Sequence, residues 1–132
     1  MDTEARATPI RRALDGIRVL DFTWHQAGPW GTRWLGALGA EVIKIEWPYK
    51  PSTRGDGAPE SAPEGLPVNL NTVGYRNNHY ANKLSVTVNP NTARGIDLMK
   101  RLVTISDIVV ENFTPGVLER WGLGYDEMKK LR

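Results

Sequence analysis

The sequence predicts an α/β fold built on an open parallel sheet, and three observations carry that reading. Apolar, largely β-branched runs at Ile17 to Phe22 and Val42 to Ile45 bracket a segment in which Trp30, Trp34, Leu35 and Leu38 recur at helical spacing. A connection of that length between two apolar strands favours a parallel pair with a right-handed crossover. The pattern then repeats, since Lys83-Leu-Ser-Val-Thr-Val88 alternates with period two, a helical stripe follows, and Asp107-Ile-Val-Val-Glu111 closes a second strand, helix, strand unit. Open sheets of this kind bind ligands at the carboxyl edge of their strands, so the turn Trp24 to Pro29 is the first place to look for a site.

Taken in order, Met1 to Ala13 is polar and charged and reads as a flexible N-terminal arm, with residues 14–132 as one partial domain. Asp15-Gly16 makes a turn into the first strand, which is apolar on both faces as expected of a strand covered on two sides; Arg18 and Asp21 read as its exposed ends. Gly28-Pro29 suits a helix start with proline at the first helical position, and Gly39 a left-handed C′ residue leading into Glu41 to Glu46. The stretch 47–82 carries Pro48, Pro51, Pro59, Pro63 and Pro67, which exclude a long helix or central strand; it reads as an excursion with a short helix near its end. After the strand at Lys83 to Val88, Asn91 or Thr92 caps a helix whose apolar stripe is Ile96, Met99, Leu102 and Val103. A short buried strand at Asp107 to Glu111, a helical turn at Pro115 to Trp121 and a last helix from Tyr125 complete the chain, with Asp126 and Glu127 where a helix dipole favours negative charge.

Composition narrows the function classes. At 132 residues, 40% hydrophobic and 24% charged, the chain suffices for one domain with a real core. A net charge of +2, from 17 basic and 15 acidic residues, is too even for a nucleic-acid surface. The absence of cysteine excludes a disulfide, a thiolate nucleophile and a zinc-thiolate site, and two histidines give no basis for a protein-built metal cage. No run approaches the roughly 18 to 20 apolar residues that cross a bilayer, and the start lacks a signal-peptide core. The expected location is cytoplasmic, with neither nucleic acid nor membrane as partner.

Leu14-Asp-Gly-Ile-Arg-Val-Leu-Asp-Phe-Thr, Gln26-Ala-Gly-Pro, Leu38-Gly-Ala-Glu-Val-Ile-Lys-Ile-Glu, Asn82-Lys83, Ser85-Val-Thr-Val, Asp107-Ile-Val-Val-Glu-Asn-Phe-Thr-Pro-Gly-Val-Leu-Glu-Arg and Gly122-Leu-Gly-Tyr occur in this order. Together they resemble the N-terminal part of the class III coenzyme A transferases, the CaiB/BaiF family that includes formyl-CoA transferase. The resemblance implies a Rossmann-like open parallel sheet, the N-terminal part of a large domain that in the whole protein forms an interlocked homodimer. It also implies that CoA moves between an acyl-CoA and a small carboxylic acid through a mixed anhydride and a thioester on an aspartate. That aspartate lies beyond the matching region, so the chain is expected to be a truncated N-terminal piece of a longer transferase, or one of its naturally shortened relatives, inactive alone and with no catalytic residue of its own. CoA thioesters enter as substrates, with no tightly bound cofactor and no metal.

By the same resemblance the CoA-binding residues are Gln26, Ala27, Trp47, Lys83, Val88, Asn89, Pro90, Asn91, Asn112, Phe113, Thr114 and Arg120. The Gln26 amide either bonds a thioester or anhydride oxygen, as an auxiliary to the chemistry, or simply closes the turn. Arg120 either grips a phosphate bidentately or pairs with Glu119 or Glu127 at the surface. Trp47 stands where relatives often carry arginine and Leu84 where Asn-Lys-Arg is familiar; an indole stacks on adenine but cannot neutralise phosphate, leaving Lys44, Arg76 and Lys83 to compensate. His25 is either a general base or a residue that orients the turn.

Other readings stay open. An α-methylacyl-CoA racemase-type fragment belongs to the same family, and a non-catalytic CoA-binding or oligomerisation module needs no chemistry. Glu46 follows Gly28 at a distance that suits a nicotinamide dinucleotide site, but the turn lacks the G-x-G-x-x-G spacing.

Overall fold

The structure is a computed structural model that describes residues 11–47 and 74–132. Its order is β1 (Arg18–Asp21), α1 (Ala27–Ala37), β2 (Glu41–Glu46), α2 (Gly74–His79), β3 (Leu84–Thr87), α3 (Ala93–Thr104), β4 (Ile108–Val110), α4 (Val117–Arg120) and α5 (Tyr125–Leu131). The strands form one four-stranded sheet in the order β3-β2-β1-β4. Every pairing is parallel, with Asp21 opposite Lys44 between β1 and β2 and opposite Val110 between β1 and β4. The carboxyl ends of β1, β2, β3 and β4 therefore lie on one rim, as expected of consecutive crossover units.

Side chains alternate across the sheet and build two cores. On one face Leu20, Phe22, Ile45 and Val88 pack with Met99 and Val103 of α3, Leu118 of α4 and Leu123. The other face is smaller, with Val19, Ala40 and Val42 packed against Leu14, Ile17, Leu35 and Val110 under α1. Burial on both sides explains why apolar residues occupy both faces of β1, Val19 on one and Leu20 on the other.

Several boundaries differ from expectation for physical reasons. Helix α1 starts at Ala27, which puts Pro29 at its third position; its missing N–H still falls among the first four, which have no intrahelical partner. Gly39 follows the helix at φ 114°, the left-handed C′ geometry expected of it. Thr92, not Asn91, caps α3, its Oγ1 accepting from Gly95 N at 3.0 Å. Strand β4 is less buried than expected, because α1 packs on β1 and β2 and leaves Ile108 exposed. The largest correction is Asp21, read as an exposed strand end and found fully buried. Most of the N-terminal arm, and residues 48–73 of the excursion, lie outside the described residues; the short helix expected near the excursion's end is α2.

Candidate functional site at the carboxyl rim of the sheet

The site begins with the sequence Asp21-Phe-Thr-Trp-His-Gln-Ala-Gly28, which carries the chain from β1 into α1. Strand alternation sends Asp21 to the α1 face, alongside Val19, and its register partner Lys44 to the same face. A lone carboxylate there would be costly, so the local structure supplies donors. Thr23 donates to Asp21 Oδ1 through its backbone N–H at 2.8 Å and its hydroxyl at 2.5 Å, and Thr32 of α1 donates to Oδ2 at 2.6 Å. Lys83 Nζ lies 3.0 Å from Oδ2 and Lys44 Nζ 3.7 Å from Oδ1, with the Lys44 and Lys83 side chains only 2% and 1% exposed.

Both lysines also reach backbone carbonyls. Lys44 donates to the Thr23 carbonyl, and Lys83 to the Pro29 carbonyl at 2.8 Å and the Thr32 hydroxyl at 2.7 Å. Lys83 arrives here because the chain crosses α1 at Gly36, where a Cβ would stand 2.5 Å from the Asn82 carbonyl; Asn82 itself adopts φ 62°. Burial pushes the Asp21 carboxyl up, but Lys44, Lys83 and the two threonine hydroxyls outweigh it and hold the group below its ordinary value. Burial likewise lowers Lys83, with Asp21 partly restoring it. An ionised, enclosed carboxylate of this kind accepts hydrogen bonds and is not placed to attack a substrate.

Outside this cluster the turn is tied to the far edge of the sheet. Asn112, following β4, accepts from Trp24 N and donates to the Trp24 carbonyl, both at 2.8 Å. Gly28 packs so closely that a Cβ would lie 2.4 Å from Thr23 Cβ. Aromatic rings line the same rim in sequence: Trp47 stands 5.8 Å from Trp24, Trp24 5.2 Å from Phe113, and Phe113 5.5 Å from Trp121. The Trp47 indole N–H is buried without a hydrogen-bond partner among the described residues. His25, Gln26 and Ala27 remain exposed at the tip, His25 at φ 60°. Gln26 is the N-cap of α1 yet its side chain makes no capping bond, so its amide and the first amides of the helix are not spent on each other.

The residues expected to meet a ligand divide into two groups. Gln26, Ala27, Asn91, Thr114 and Arg120 are exposed, and Trp47, Asn89 and Phe113 half-buried. Val88 and Pro90 are buried; Val88 serves the larger core, and Asn89 accepts from Asn91 N at 2.9 Å within the turn. The Asn112 side chain is engaged by Trp24. Lys83 points inward, not to the rim, and Arg76 donates to both Glu46 oxygens at 3.1 and 3.0 Å, so the three cations expected to make up for the missing arginine are all engaged by the protein. Glu127 pairs with Lys130 at 2.5 Å, and Arg120 has no ion pair among the described residues. No group of three or more potential His, Cys, Asp or Glu metal ligands occurs among the described residues.

Asp21, and the burial of Lys44 and Lys83 against it, are the part of the site that sequence reasoning missed. A usable signal was present, for an acid and a base each stand two residues along from a valine within an apolar run, Asp21 after Val19 and Lys44 after Val42.

Comparison with known proteins fits this architecture. Formyl-CoA:oxalate CoA-transferase of Streptomyces coelicolor is 38% identical over 120 residues, 91% of this chain and 27% of that protein. Succinyl-CoA:glutarate CoA-transferase of Mus musculus is 40% identical over 121 residues, 91% of this chain and 26% of that protein. The chain thus spans about a quarter of the length of these relatives. Among solved structures, a CaiB/BaiF family protein of Brucella suis superposes with a TM-score of 0.78 at 36% identity, covering 93% of this chain and 32% of that one. A hypothetical protein of Mycobacterium tuberculosis gives 0.74 at 39%, covering 90% and 30%. The sequence model of CoA-transferase family III matches residues 14–132, and on that match, with the parallel sheet and its rim, the chain belongs to CoA-transferase family III.

Proposed function

We propose that this chain is the CoA-binding portion of an enzyme that moves CoA between an acyl-CoA and a small carboxylic acid. Family membership supports the reaction class, and the observation that carries the site is the exposed tip Gln26-Ala27 at the uncapped start of α1, on the carboxyl rim of a parallel sheet. CoA is polyanionic at its nucleotide end, and a guanidinium is a group that meets phosphate oxygens. Arg120, exposed and without an ion pair among the described residues, supplies that guanidinium. The adenine ring lies against the aromatic row at Trp47 and Phe113, where stacking takes over from charge.

The Gln26 amide N–H donates to the thioester or anhydride oxygen on which negative charge gathers during transfer. The carboxylate that carries the acyl group comes from outside these 132 residues, as the family resemblance implies, and the enclosed Asp21 is not a substitute for it. Residues 14–132 act as one partial domain, in the cytoplasm, as part of a homodimer.

Calorimetric titration of the chain tests the binding half of this reading. CoA is expected to bind saturably and NAD to give no signal. Absence of CoA binding, or an equal response to NAD, overturns it. Incubated with acyl-CoA and a carboxylate acceptor, the same chain is expected to give no exchange; turnover by the 132 residues alone refutes the assignment of the reacting carboxylate elsewhere.

A further inference from the structure

The turn between β1 and α1 is poorly suited to hold its own shape. His25 sits in a left-handed conformation that costs a non-glycine residue roughly 1 kcal/mol or more, and Gly28 has no side chain with which to anchor the bend. Support comes from Asn112 at the sheet edge, which bonds Trp24, and from beneath. Lys44 donates to the carbonyl of Thr23, the residue just before the turn, and Lys83 to the carbonyl of Pro29, the residue just after it. Asp21 lies between the two ammonium groups and bonds to hydroxyls on both flanks, Thr23 and Thr32.

Two features argue that this is more than core filling. A buried ion pair seldom stabilises a fold better than apolar side chains of similar volume, so stability alone is a weak reason for three charges under α1. Apolar replacements would also leave the Thr23 and Pro29 carbonyls without these donors. An ammonium has three N–H donors, and those of Lys83 go to three different points: Asp21 at 3.0 Å, Pro29 at 2.8 Å and Thr32 at 2.7 Å. Such a group fixes the position of the helix's first turn relative to the strand.

We propose that Lys44 and Lys83, sharing Asp21 as counter-ion, are positioning residues that brace both feet of the turn 24–28 and hold Gln26, Ala27 and the first amides of α1 in place for CoA. The bracing stands on the geometry alone; its link to CoA rests on the function proposed above. Because the three charged side chains are buried, their part is played through the turn and not by contact with a ligand.

Amide hydrogen exchange and CoA titration of the 132-residue chain, beside its Lys83→Met and Thr32→Val variants, test this. Exchange at the hydrogen-bonded amides that flank the turn, Trp24 and Trp30, is expected to speed by about tenfold with α3 unchanged, and CoA affinity to fall by about tenfold as preorganisation is lost. Unchanged exchange in the turn, or equal acceleration throughout the chain, overturns the proposal. Should Lys83→Met fail to fold, Thr32→Val removes only the hydroxyl that joins Asp21 to Lys83, and local acceleration or its absence decides the matter in the same way. A turn that loosens in a protein whose wild type takes up no CoA would remove the CoA reading and leave the bracing intact.

Discussion

Replacing Asp21 by asparagine leaves the Lys44 and Lys83 ammonium groups buried without the carboxylate they share. Removing one partner of a buried ion pair costs about 3 to 5 kcal/mol, and urea unfolding of Asp21→Asn is expected to show a loss in that range. The pH dependence follows from the direction of the Asp21 shift. Its folded carboxyl lies below the ordinary 3.8, so the unfolded chain binds the proton more readily; the stabilisation is complete above 3.8 and disappears as pH falls through the folded value. Below pH 3.8 the wild type should therefore lose stability more steeply than Asp21→Asn, a difference read from unfolding midpoints in an acid series. Residue by residue, the sequence was least informative here. A polar side chain at the end of a strand reads as solvent-facing, and only the covering by α1 and the arrival of Lys83 from 62 positions away reverse that reading.

Elements were far more legible than individual contacts. Helix α3 shows why: its stripe of Ile96, Met99, Leu102 and Val103 meets the sheet as the spacing requires, with Met99 and Val103 fully enclosed. Two candidates for its cap could not be separated by sequence, since asparagine and threonine both serve at that position. Backbone geometry separates them, Thr92 being extended at φ −119° and ψ 144° with its hydroxyl on Gly95 N. Thr92→Ala is expected to cost about 1 kcal/mol, measured by denaturant unfolding, while Asn91→Ala should stay within about 0.5 kcal/mol at this exposed turn position. Strand β4 was predicted in place but over-predicted in burial, because apolar composition reports what a strand is suited to and not what lies above it.

At the scale of the molecule, the exposed apolar surface has a pattern. Trp30, Trp34 and Leu38 recur along α1 at 39%, 52% and 49% exposure, with the Arg33 guanidinium 5.0 and 5.6 Å from the two indole rings. Single exposed apolar residues are ordinary, but three on one helix face favour association. Sedimentation velocity is expected to show concentration-dependent self-association that weakens in Trp34→Gln; a monomer at all concentrations contradicts this. Parallel pairing and a shared rim were readable from crossover lengths. The identity of neighbours was not, since the contact of β1 with β4 joins segments almost 90 residues apart and no local pattern encodes it.

That strand order gives the two halves of the chain unequal standing. Each of β3 and β4 lies against the first unit, one on either side, and they never touch each other. The later half thus owns two ribbons and no seam, whereas the earlier half is a complete βαβ nucleus. A severed 74–132 segment is therefore expected to hold no strand pairing of its own until residues 11–47 are returned to it.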